Sequence, residues 1–175
     1  MPCRVAVAVA LVASVSGCAK SYTSFGYDVT RSTSGTVAAA VAGGESRSGR
    51  VAIGFTSGTT SIEVVMNGQD LEMGSDAWIA GSAGLELSLR PLRVGPVQSV
   101  VHFGPMRGLL IDASTLDVTW GAGLAYGAGL IIGHGGVNVL IDAHGEEQYF
   151  AGVEGSATGG ACSVKAVSVG LHFGR

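Results

Sequence analysis

Charge is scarce in this chain. Asp, Glu, Lys and Arg make up 13 % of its 175 residues, and the formal net charge is only −3. Disorder needs high net charge with low hydropathy, so a hydrophobic share of 47 % and a mean hydropathy of +0.43 exclude it. The ten Lys and Arg residues are scattered, and no basic stripe follows from them, which excludes nucleic acid as a partner. Four prolines without a Gly-X-Y repeat exclude a collagen-like chain. Aromatic residues amount to 6 %, few for a membrane barrel with full aromatic girdles. Glycine, at 29 residues, is what the chain has in excess.

The three cysteines divide by position. Met1 to Arg4 carry one positive charge, and Val5 to Val15 form an apolar stretch broken only by Ser14, the pattern of an export leader. That stretch is too short to cross a hydrocarbon core of about 30 Å as a helix. It ends in Val15-Ser16-Gly17-Cys18, which resembles the lipobox of bacterial lipoproteins. The resemblance implies a leader over 1–17 and a mature domain over 18–175. It also implies a diacylglyceryl group on the Cys18 thiol and the lipoprotein-processing machinery as a partner. Cys3 falls in the leader, so Cys162 stands alone in the mature chain. An internal disulfide and a metal site built from cysteine pairs are both excluded on that count.

Apolar residues follow a period of two. Val51, Ile53 and Phe55 alternate with Arg50, Ala52, Gly54 and Thr56; Ile79, Leu85, Leu87 and Leu89 share a parity opposite to Ser82, Glu86 and Ser88; Val167, Val169, Leu171 and Phe173 oppose Ala166, Ser168, Gly170 and His172. The segment 118–141 holds no Asp, Glu, Lys or Arg and is long enough for a membrane helix, with small residues four apart at Gly123/Gly127 and Gly129/Gly133. Its parity points to a strand instead. Trp120, Leu124, Tyr126, Leu130 and Ile132 fall on one side and Gly121, Gly123, Gly127, Gly129 and Gly133 on the other, sets that a helix would mix around its circumference.

Turn signals punctuate the runs at Ser34-Gly35, Gly43-Gly44, Gly58-Thr59-Thr60, Asn67-Gly68, Gly95-Pro96, Gly104-Pro105, His134-Gly135-Gly136, His144-Gly145 and Gly159-Gly160. Such short intervals suit antiparallel neighbours. The predicted strands are 22–30, 36–42, 50–57, 61–66, 77–89, 97–103, 107–112, 118–132, 137–143, 148–154 and 162–173. Some adjacent pairs are expected to merge into one bulged strand, with the bulge at Gly104-Pro105, giving 8–10 strands in an all-β, antiparallel up-and-down barrel.

The faces decide which solvent each side meets. Leucines opposite serine and glutamate, and large residues opposite glycine, fit lipid outside and a narrow polar lumen inside. Closure removes strand edges that hydrocarbon would leave unsatisfied. The final strand, Val167-Ser168-Val169-Gly170-Leu171-His172-Phe173, resembles the C-terminal assembly signal of outer-membrane β-barrel proteins, although Gly174 and Arg175 follow it. With the lipobox, the chain resembles a Gram-negative outer-membrane lipoprotein with a small barrel domain. That resemblance implies membrane lipid and the barrel-assembly machinery as partners and a structural, adhesive or ligand-contact role. The alternative is a soluble lipid-tethered β-barrel or β-sandwich with an apolar ligand inside it.

Candidate chemistry is thin. Arg50, Glu63, Glu86 and His172 share inward parity and are expected to form a lumen ion-pair network. His172 beside Ser168 is a histidine–serine pair of the kind some lipid-modifying barrels use, at an address unsuited to acyl cleavage. His144-Gly145-Glu146-Glu147 gathers a histidine and two carboxylates, and is expected to be a solvated hairpin tip. No histidine has metal-ligand spacing, so no catalytic residue, metal or cofactor is assigned.

Overall fold

The computed structural model describes residues 20–34, 47–73, 76–112, 116, 118–151 and 160–174. Every regular element among them is a strand: β1 (Lys20–Ser34), β2 (Arg47–Ser57), β3 (Thr60–Met73), β4 (Asp76–Leu89), the two-residue β5 (Arg93–Val94), β6 (Val97–Asp112), β7 (Val118–Ile132), β8 (Val137–Phe150) and β9 (Gly160–Gly174). The eight long strands pair antiparallel with their chain neighbours, β1 pairs with β9, and β4 pairs with β6. The sheet therefore closes as an up-and-down barrel. No described helix is long and apolar enough to cross a membrane.

Turn chemistry sets one end of the barrel. Gly58 (φ 64°) and Gly95 (φ 56°) take the first central position of two-residue hairpins between β2 and β3 and between β5 and β6. That position needs a left-handed residue to match the twist of the flanking strands, which glycine supplies without a Cβ clash. The β7–β8 turn, the start of β1 and the end of β9 lie at this same end. Leu116 (φ 61°) lies in a connection at the opposite end.

The parity expected from sequence holds along the barrel wall. Ile53, Phe55, Val64, Leu85, Phe103, Leu124, Leu130 and Leu171 point outward and are exposed, whereas Ser24, Arg50, Glu63, Glu86, His102, Asp142, Ser168 and His172 are buried inside. Most aromatic side chains face out as well, with Phe25, Phe55 and Phe173 toward the short-turn end and Trp120 and Tyr149 toward the other.

The expected merging of short runs occurs: residues 97–103 and 107–112 form one strand, and 137–143 continues into residues 148–150 as another. The expected bulge and turn are corrected, because both strands keep an unbroken register through Gly104-Pro105 and His144-Gly145. The register shift sits instead between Asp28 and Thr30, where β1 meets β9. Asn67-Gly68 is also internal to a strand, β3. The inner wall of a narrow polar barrel uses glycine and short polar residues, the same composition that marks turns. The predicted leader 1–17, Cys18, the predicted strand 36–42 and residues 152–154 lie outside the described residues.

Inward glycines allow the wall to close tightly. A Cβ on Gly170 would run into the Phe25 carbonyl and the Gly26 Cα of β1, at the seam between the first and last strands. Overpacking at that seam is expected to make Gly170→Ala destabilising by about 1–3 kcal/mol, read from equilibrium unfolding of the refolded barrel. The same exchange at Gly68, which has nothing near its Cβ position, is the control.

Candidate functional site

The interior is crossed by a buried charge network drawn from β2, β4, β6 and β8. Arg50 on β2 donates from Nη2 to Glu86 Oε2 on β4 at 2.8 Å. The same carboxylate oxygen lies 2.5 Å from Nδ1 of His102 on β6, and His102 Nε2 lies 3.0 Å from Asp142 Oδ1 on β8. Each ring nitrogen of His102 thus faces a carboxylate, so an imidazolium donating through both N–H groups balances the cluster at two positive and two negative charges. Glu86 is 1 % exposed. Burying such charges is tolerable only when each is paired and hydrogen-bonded, and here each of the four charges has an opposite partner across the lumen.

Local sequence makes room for this brace. A Cβ on Gly127 would collide with the imidazole of His102, its cross-strand neighbour. The network extends toward the other end through His144, 3.5 Å from Asp142 and 3.8 Å from Asp28, and Ser48 donates to Asp28. Beyond it, Glu146 accepts hydrogen bonds from Asn67, from Ser82 at 3.3 Å and from Gln148 at 2.7 Å. These neutral donors replace water around a buried carboxylate. His144 and Glu146 are therefore buried in the lumen wall, which corrects the expected solvated tip; Glu147, of opposite parity, faces out.

The four sequence-nominated residues all lie inside, but only Arg50 and Glu86 meet. Glu63 accepts from Ser88. His172 Nδ1 lies 2.8 Å from Ser24 Oγ, and its ring stands 4.8 Å from that of Tyr22, so its partner is neither Ser168 nor a member of the brace. His102 and Asp142 escape the sequence reading, although each is a lone titratable residue between outward apolar neighbours, Val101 and Phe103 or Ile141 and Ala143. That pattern is itself the signature of a side chain aimed into a polar lumen.

Little space remains around the network. Cavities of about 40 Å³ beside His144 and Glu146 and about 30 Å³ beside Arg50 and His102 are each on the scale of a water molecule or two. Several polar atoms at these cavities, among them Arg50 Nη1 and His144 Nδ1, have no hydrogen-bond partner within the protein. Ordered water suits such positions, and an apolar ligand does not. No cluster of three or more His, Cys, Asp or Glu arranged to hold a metal occurs among the described residues. At the short-turn end the lumen widens into a mouth of about 500 Å³.

No protein-family model matches the chain, and no curated protein matches it. Solved structures do. Neisserial surface protein A superposes with a TM-score of 0.61 at 14 % identity, over 89 % of this chain and 96 % of that one. A major outer membrane protein from Thermus thermophilus gives 0.58 at 11 % identity, over 90 % and 100 %. The N-terminal β-barrel domain of Pseudomonas aeruginosa OprF gives 0.51 at 14 %, over 90 % and 97 %. At these identities the likeness is one of fold, a small closed β-barrel.

Proposed function

We propose that this chain is an outer-membrane β-barrel lipoprotein, anchored through Cys18 as well as by its barrel wall, with a structural, adhesive or ligand-contact role. The observation that carries this reading is the inverted solvent preference of a closed barrel: the outside is predominantly apolar, and Arg50, Glu63, Glu86, Asp142 and Glu146 are buried within. Water outside would favour the reverse arrangement, whereas hydrocarbon outside requires this one. A barrel of the same fold, from Thermus thermophilus, is described as a major outer membrane protein, which supports the same address. Bacterial outer-membrane barrels keep short turns on the periplasmic side, which would place Lys20 and its proposed anchor two residues earlier at the inner leaflet.

The lumen supports a closed barrel in preference to a pore or an apolar-ligand carrier, because the brace spans it and the cavities beside it hold only water-sized volumes. The cavities beside the brace are too small for an acyl chain, and His172 of the Ser24–His172 pair borders a mouth lined by Lys20, Arg90 and Arg93, a setting for polar groups and not for a hydrocarbon tail, so the reading is not catalytic.

Two measurements test it together. The wild-type protein is expected to stay in carbonate-washed outer membranes and to carry diacylglyceryl mass on an N-terminal Cys18. Cys18→Ser is expected to lose that mass and to leave the precursor uncut before residue 18, while any barrel that still inserts resists carbonate. Release of the wild type by carbonate would overturn the membrane reading, and a mature wild type that begins elsewhere without lipid would overturn the anchor.

A further inference from the structure

We propose that the short-turn mouth of the barrel is a binding site for a phosphate-bearing anion, either free or carried on a lipid headgroup. The mouth collects Lys20 at the start of β1, Arg90 after β4 and Arg93 in β5, and no aspartate or glutamate lines it among the described residues. This is a marked segregation in a chain of net charge −3 whose interior carries Glu63, Glu86, Asp142 and Glu146. None of the three cations is ion-paired among the described residues. Arg90 is held 4.7 Å above the ring of Tyr22, and its Nε has no hydrogen-bond partner.

The chemistry matches an oxyanion. A guanidinium offers a planar fork of donors that fits phosphate oxygens in pairs, and stacking on Tyr22 fixes one such fork before any ligand arrives. Gln98 and Asn138 add neutral amide groups to the same lining. The mouth is wide enough for a phosphate group with several waters, unlike the cavities deeper in the lumen. A lipid source for the anion rests on the membrane reading above, because only an inserted barrel sets this mouth at a leaflet surface; a free anion needs the barrel geometry alone.

The full mature protein, folded in uncharged maltoside micelles, is titrated separately with inorganic phosphate and with short-chain phosphatidylglycerol. Saturable binding is expected for at least one probe, and the combined Lys20→Gln, Arg90→Gln and Arg93→Gln variant is expected to weaken it by about tenfold or more. Arg107→Gln with Lys165→Gln, which removes two outward charges, is expected to leave it within about twofold. Binding of phosphate assigns a soluble anion, and binding of phosphatidylglycerol alone assigns a headgroup. If the triple variant does not fold, the exposed Arg93→Gln alone is expected to weaken binding by about threefold. Absence of saturable binding to either probe, or equal binding by folded wild type and mouth variants, would overturn the site. Neither result bears on carbonate resistance, which judges the membrane reading by itself.

Discussion

Leu85→Arg is expected to destabilise the barrel by about 2–4 kcal/mol in lipid vesicles, whereas Leu92→Arg is expected to cost about 0–1 kcal/mol. The two leucines are similarly exposed in the structure, at 53 % and 61 %, and both would count as surface positions in water. What separates them is the solvent assigned to each. Leu85 lies in the outward apolar row of β4, across from Val64 of β3, while Leu92 lies in the connection at the short-turn end. A guanidinium in hydrocarbon must snorkel or draw in water, and one at the interface need do neither. Urea unfolding of vesicle-inserted protein, followed by tryptophan fluorescence, measures both. Equal, small effects would mean that the outer wall faces water.

Arg50→Met is expected to cost about 3–5 kcal/mol, since it leaves Glu86 buried with one of its cationic partners gone. The informative comparison is the double variant. Arg50→Met with Glu86→Gln removes the pair together and is expected to be less destabilised than Arg50→Met alone, because no carboxylate is then stranded beside His102. The same unfolding assay reads the cycle. Additive losses would show that the two side chains act independently and that the brace is not an energetic unit.

Much of the wall is legible in the sequence because a strand that separates two solvents writes its parity in side-chain size and polarity. The bounds of the strand at 118–132 follow from the alternation of Trp120, Leu124 and Tyr126 with glycine alone. Length is harder. Asn67-Gly68, Gly104-Pro105 and His144-Gly145 resemble turns, yet each lies within a strand, where a small or polar residue on the inner wall satisfies curvature and polarity at once. The brace is half legible for a different reason. Parity nominates Arg50 and Glu86, but which inward residues meet depends on the register and stagger of the closed sheet, and no local pattern encodes that. Hence His172 shares their parity and instead faces Ser24, while His102 and Asp142 complete the cluster.

The brace also has a bearing on the order of events during assembly. Glu86 and His102 sit on the paired strands β4 and β6, whereas Arg50 reaches Glu86 past β3 and His102 reaches Asp142 past β7. Neighbouring strands lie about 4.8 Å apart, so a flat sheet would hold each of those longer pairs at roughly twice that spacing, with the side chains projecting side by side. Curvature swings their tips together. A sheet not yet curled leaves Arg50 and Asp142 short of their partners on an open face, without the pairing that makes their burial tolerable. The interior thereby serves as a check on completion: it favours the finished cylinder over every flat partial one.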